Sequence, residues 1–183
     1  MEYYIDNLEL TKNGDSRPIM YGEWSMLFGK YKAEIFNCNE KLIYSIERKF
    51  SLWKWNMTYH IENEYRKKIK LEAKNKWHSI YEMKIEQNKF QLKLHKGRKK
   101  SVFKNGKQIA GIDESFIEVF YHNKVRIITN DLESINEIFL MIVCLKIGEK
   151  NKEEITFDFG NIGKMEPINE NRTTKKQNTS TTS

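Results

Sequence analysis

The chain has 183 residues, 39% hydrophobic and 31% charged, with a formal net charge of +7. That is enough apolar material for one core, and a mean hydropathy of -0.73 argues against an integral membrane protein. Cys38 and Cys144, the two cysteines, match no metal or redox spacing and exclude a disulfide scaffold, so a reduced, cytoplasmic setting is expected.

Met1-Glu2-Tyr3-Tyr4 lacks the basic start and apolar stretch of a signal peptide. Pro18 and Pro167, the only prolines, roughly bracket the expected folded part. Within it nearly every segment has period two. From Trp53 to Ile61 the odd positions Trp53, Trp55, Met57, Tyr59 and Ile61 are apolar and most even ones polar. The pattern returns at Ile69, Leu71, Ala73, at Phe90, Leu92, Leu94, and at Val125, Ile127. At Ile80, Met83, Ile85 it carries one register break. Such alternation predicts half-buried strands with one face on a core. Turn signals separate them at Asn37-Cys38-Asn39-Glu40, Gln87-Asn88-Lys89, Lys104-Asn105-Gly106-Lys107 and His122-Asn123-Lys124. Asn105-Gly106 is the strongest, since both residues tolerate the positive φ of a type I′ turn. About ten strands in a meander predict a large antiparallel sheet that closes to hide its edges.

One segment has another period. Leu132 to Ile147 predicts a helix of about four turns, with Asp131 as N-cap, Lys146 near the end and Gly148 as the stop. Ile138 to Leu145 has no polar face, so this helix must be buried all round. It is too short to cross a bilayer, which needs about 20 apolar residues. The axis of a closed barrel is its natural home. Glu154-Ile155-Thr156-Phe157-Asp158-Phe159 then reads as a further strand, completing one domain over 1–163. Residues 164–183 contain no aromatic residue and read as a disordered polar tail.

From Arg17 to Gly148 this order of elements resembles the tubby C-terminal-like group, which includes plant LURP-one-related proteins, phospholipid scramblases and small bacterial relatives. The strands, the Lys104 to Ile109 hairpin, and Val125 to Thr129 leading through Asp131 into the apolar helix carry the resemblance. It implies a mainly β fold, a closed antiparallel barrel of about 12 strands around a buried hydrophobic helix near the C-terminus.

Catalytic signals are missing. Gly97-Arg98-Lys99-Lys100-Ser101 lacks the spacing of a phosphate loop, and no Gly-x-Ser-x-Gly or His-Glu-x-x-His occurs. His60, His78, His95 and His122 show no metal-ligand spacing. Glu47, Glu62, Glu72 and Glu82 mostly alternate with lysines and read as solvated cross-strand pairs. No catalytic residue, metal or cofactor is therefore expected. The stripe Trp53, Trp55, Met57, Tyr59 could stack bases or dip into a membrane interface. The inner face of a strand explains it better, because the polar outer face is already supplied, and Trp24 and Trp77 take the same reading. Bases concentrate at Arg66, Lys67, Lys68 and Lys70, and at Lys93, Lys96, Arg98, Lys99, Lys100, Lys104 and Lys107. Arg66, Lys68, Lys70, Lys93, Lys96, Arg98, Lys99 and Lys100 are the candidate anion-binding residues, forming one patch if their strands are neighbours. The expectation is a non-enzymatic module, peripheral to an anionic membrane or holding a phosphorylated ligand. The alternative is an adaptor, or a nucleic-acid-binding protein, that uses the barrel as scaffold.

Overall fold

A computed structural model describes residues 1–27, 29–51, 56–114 and 124–147. Its strands are β1 (Glu2–Asp6), β2 (Glu9–Lys12), β3 (Met20–Leu27), β4 (Lys30–Asn37), β5 (Leu42–Ser51), β6 (Asn56–Asn63), β7 (Lys68–Ala73), β8 (Ile80–Ile85), β9 (Asn88–Leu94), β10 (Lys99–Lys104), β11 (Lys107–Asp113) and β12 (Val125–Thr129), followed by α1 (Ile135–Lys146). All neighbouring strands are antiparallel, and β1 pairs with both β2 and β12. The sheet is thus a closed 12-strand barrel, with no open edge to template aggregation.

Period-two alternation decides what faces inward. Tyr59 and Ile61 of β6, Ile69, Leu71 and Ala73 of β7, Phe90 and Leu92 of β9, and Val125 and Ile127 of β12 are all buried. Asn105 and Gly106 join β10 to β11 with φ of 50° and 82°, the paired left-handed conformation that a tight hairpin needs. Ile138 to Cys144 of α1 are buried without a break and share one core with residues from all twelve strands.

Several expectations need correction. The helix begins at Ile135, not Leu132, and Ser134 precedes it without a side-chain cap. Asp131 does not cap it because its carboxylate is taken by Lys104 and by the Ser134 hydroxyl. On β8 the inward residues are Tyr81 and Met83, so Ile85 continues their parity and no register break exists. Trp77 is 59% exposed rather than core, whereas Trp24 does pack against the core. Pro18 does not bracket the fold: β1 and β2 precede it, and without them the barrel would not close. Trp53, Trp55, His122, Gly148, Pro167, the strand expected over 154–159 and the tail over 164–183 lie outside the described residues.

Candidate functional site

Two of the chain's cations are used internally, one at each end of the helix. Arg48 of β5 donates from Nη1 to the Ile147 carbonyl at 2.7 Å and from Nε to Met57 Sδ at 3.2 Å. Its guanidinium also lies 5.1 Å from the Tyr31 ring centroid. It thereby satisfies a carbonyl that the helix C-terminus leaves open. At the other end Lys104 of β10 donates to Asp131 Oδ2 at 3.2 Å and Ser134 Oγ at 2.9 Å. Burial pushes the Asp131 carboxyl up, but the bonds from Lys104 and Ser134 outweigh it and hold it below its ordinary value. Burial raises Glu137 in the first helical turn, whose Oε2 is buried with no hydrogen-bond partner. Neither cation's role is legible before folding, because each lies in a stretch that reads as an ordinary charged strand.

Strands alternate in direction, so successive connections fall on alternate ends of the barrel. The turns at 38–41, 64–67, 86–87 and 105–106 share one end with the helix N-terminus. The connections at 74–79 and 95–98 lie at the opposite end. The eight candidate residues therefore do not form one patch. Arg66 sits in the 64–67 turn with φ of 57°, and Lys68 begins the outer face of β7 in register with Glu62. Both are a strand length, about 20 Å, from the loop holding Arg98. Lys70 lies on the wall, bonded to Glu72 at 2.7 Å. Lys93, on β9, places its ammonium 4.6 Å from the Phe103 ring centroid. Lys100 is mostly buried and paired with Glu114, and Lys99 lies opposite Asp113 in register. Lys96 and Arg98 remain exposed in a 3-10 turn.

Both ends carry cations. At the helix N-terminal end Lys41 pairs with Glu64, Lys67 with Glu86, Lys104 with Asp131 and Arg126 with Glu2. At the other end Lys30, Lys76, Lys96 and Arg98 are exposed, and among the described residues none of them forms an ion pair. Exposed Arg66 and Lys107 stand at the helix N-terminal end as well, so exposed cations occur at both ends.

Local hydrogen bonds shape this end. Asn75 Oδ1 accepts the Ser79 and Ile80 backbone N–H groups at 2.9 and 3.3 Å, and Nδ2 donates to Ser79 Oγ at 2.7 Å. The Asn75 side chain thus closes a turn whose tip presents Lys76 and Trp77. The Leu94 N–H donates to the Ser79 carbonyl at 2.8 Å, which sets this loop beside the Lys96–Arg98 turn. There Gly97 and Arg98 take φ of 71° and 60°, and the His95 N–H donates to the Lys99 carbonyl at 2.8 Å. The Glu114 N–H reaches the Arg98 carbonyl at 3.2 Å. Lys76, Trp77, Lys96 and Arg98 consequently share one surface on two adjoining loops, an aromatic flanked by three cations. Sequence reading missed Lys76 and Trp77; the adjacent Asn75, a turn-forming residue, was the available signal.

Among the described residues no helix is long and apolar enough to cross a membrane, and no three His, Cys, Asp or Glu side chains are grouped to hold a metal. No family model, curated protein or solved structure matches the chain, so the site is read from its own residues.

Proposed function

We propose that the protein is a non-enzymatic binding module, a tubby-like barrel that docks end-on against an anionic membrane surface from the cytoplasmic side. The carrying observation is the grouping of exposed Lys76, Lys96 and Arg98 with exposed Trp77 on two adjoining loops at one end of the barrel. A barrel around a buried helix is also the architecture that the tubby-like resemblance implies, and lipid head-group binding is known in that group. Exposed Trp77 suits the boundary between head groups and acyl chains, where an amphipathic ring satisfies both sides. Each Lys or Arg near such a surface is worth about 1 kcal/mol, screened by salt.

Flotation with neutral and anionic vesicles tests this. Replacing Lys76, Lys96 and Arg98 together with Ser should weaken anionic-vesicle binding by about two orders of magnitude. Melting temperature should hold, because all three side chains are exposed. Equal binding to neutral vesicles, or undiminished binding by the triple variant, refutes the reading. Trp77 beside cations also suits a base stacked from single-stranded nucleic acid. Tighter binding to RNA or DNA than to vesicles, lost in Trp77→Ala, would favour that reading instead.

A further inference from the structure

We propose that the mouth of the barrel beside β3 is a docking site for this chain's own residues 154–159, which add to it as a strand. β2 and β3 pair only through Glu9–Tyr21 and Leu10–Met20. β3 runs on from Glu23 to Leu27, past the closed part of the barrel. Over that stretch it pairs with β4 and, among the described residues, with no strand on its other side. The Gly22 N–H points to that other side and donates to the Leu8 carbonyl at 2.8 Å. N–H groups alternate in direction along a strand, so those of Trp24 and Met26 point the same way, beyond the reach of β2. The closed part of the barrel has no edge, but this projecting part has one, and such an edge is a template for one more strand.

The inner face of the projection is apolar. A Cβ on Gly22 would stand 3.5 Å from the Val143 side chain of α1, so Trp24 and Met26, of the same parity, also face inward. Tyr31 lies opposite Met26, and its ring centroid is 6.2 Å from that of Trp24. The helix stops short of this row, because Arg48, opposite Tyr31, already holds the Ile147 carbonyl. Met26 is 52% exposed as a result. The chain therefore leaves the helix directly beneath the face, with residues 148–183 still to place. Gly148 to Glu153 span about 20 Å when extended. The position beside β3 lies three strand spacings from Arg48, about 15 Å. Next in the chain come Ile155, Phe157 and Phe159, alternating with Glu154, Thr156 and Asp158. A strand with that period lays its three apolar side chains on Trp24, Met26 and Tyr31 and turns its polar ones to water. Glu153, Glu154 and Asp158 are its only charges, and exposed Lys30 and Lys32 stand on the adjoining β4.

Amide hydrogen exchange followed by NMR on the full chain tests this, with Phe157→Asp combined with Phe159→Asp as the comparison. The Trp24 and Met26 amides should exchange at least about ten-fold more slowly in the wild type than in the double variant. The Gly22 amide, bonded to Leu8 in either case, should exchange equally in both. Equal rates for Trp24 and Met26 in the two proteins overturn the proposal. So does a Gly22 amide quickened by the same factor, since the loss is then one of global stability. Slow exchange that fades on dilution and persists in the double variant overturns it in favour of a second copy of the chain at this edge.

Discussion

Arg48→Met removes the inward guanidinium while keeping an unbranched apolar stem against the wall. The Ile147 carbonyl then loses its 2.7 Å donor at a residue only 1% exposed. An orphaned buried acceptor costs about 1–3 kcal/mol, and loss of the contact over Tyr31 adds about 0.5–1 kcal/mol. The expected destabilisation is therefore about 1.5–4 kcal/mol. For a chain of this size each kcal/mol lowers Tm by about 2–4 °C, so the fall should be roughly 3–16 °C. Thermal unfolding followed by far-UV circular dichroism reads it directly. A urea titration should show a lower midpoint at unchanged slope, since the native surface is the same. Arg48→Lys keeps a donor but not the planar fork, and should fall between the two. A Tm for Arg48→Met within about one degree of wild type would refute the claim that Arg48 secures the helix C-terminus.

Met141→Lys places an unpaired ammonium at a fully buried position of α1 and should abolish folding, at several kcal/mol; a soluble variant of unchanged stability would sink the barrel-axis placement. Glu137→Gln should raise stability at neutral pH. Burial lifts the Glu137 carboxyl in the folded state, so its charged form weakens the fold as pH rises above the ordinary value of about 4.3. The helix N-terminus favours that charge by only about 0.3–1 kcal/mol, and equal or lower stability of the Gln variant at neutral pH would show that this term wins. Glu72 acts in the opposite sense and in another window. Hydrogen bonds from Lys70 and Lys74 hold its carboxyl at about 2, so its stabilisation is complete above about pH 4.5 and lost as pH falls towards 2. Because Glu72 is half-buried on the barrel wall and its partners Lys70 and Lys74 are exposed, the effect should be under about 1 kcal/mol, and Glu72→Gln should flatten that limb of an acid-unfolding curve.

The alternation of apolar and polar residues by itself determined the inner faces of β6, β7, β9 and β12, since the side-chain period of a strand is two wherever it lies. The unbroken run Ile138 to Leu145 likewise determined a helix that had to be enclosed, because it offers water no face. Asn105-Gly106 fixed its hairpin through backbone chemistry alone. These are local properties, and the sequence states them locally. The tertiary structure decided everything that depends on which segments meet. Closure through β1 and β2 is a pairing with β12 more than a hundred positions away, and no period records it. Arg48 and Lys104 read as ordinary strand cations until the helix ends arrive beside them. Arg66 and Arg98 look alike in sequence, yet antiparallel strand direction sends them to opposite ends of the barrel. Trp77 reads as core by composition, but the turn closed by Asn75 carries it into solvent. In each case a side chain's role follows from what lies across the barrel from it, and that is set by strand order and helix position rather than by its sequence neighbours.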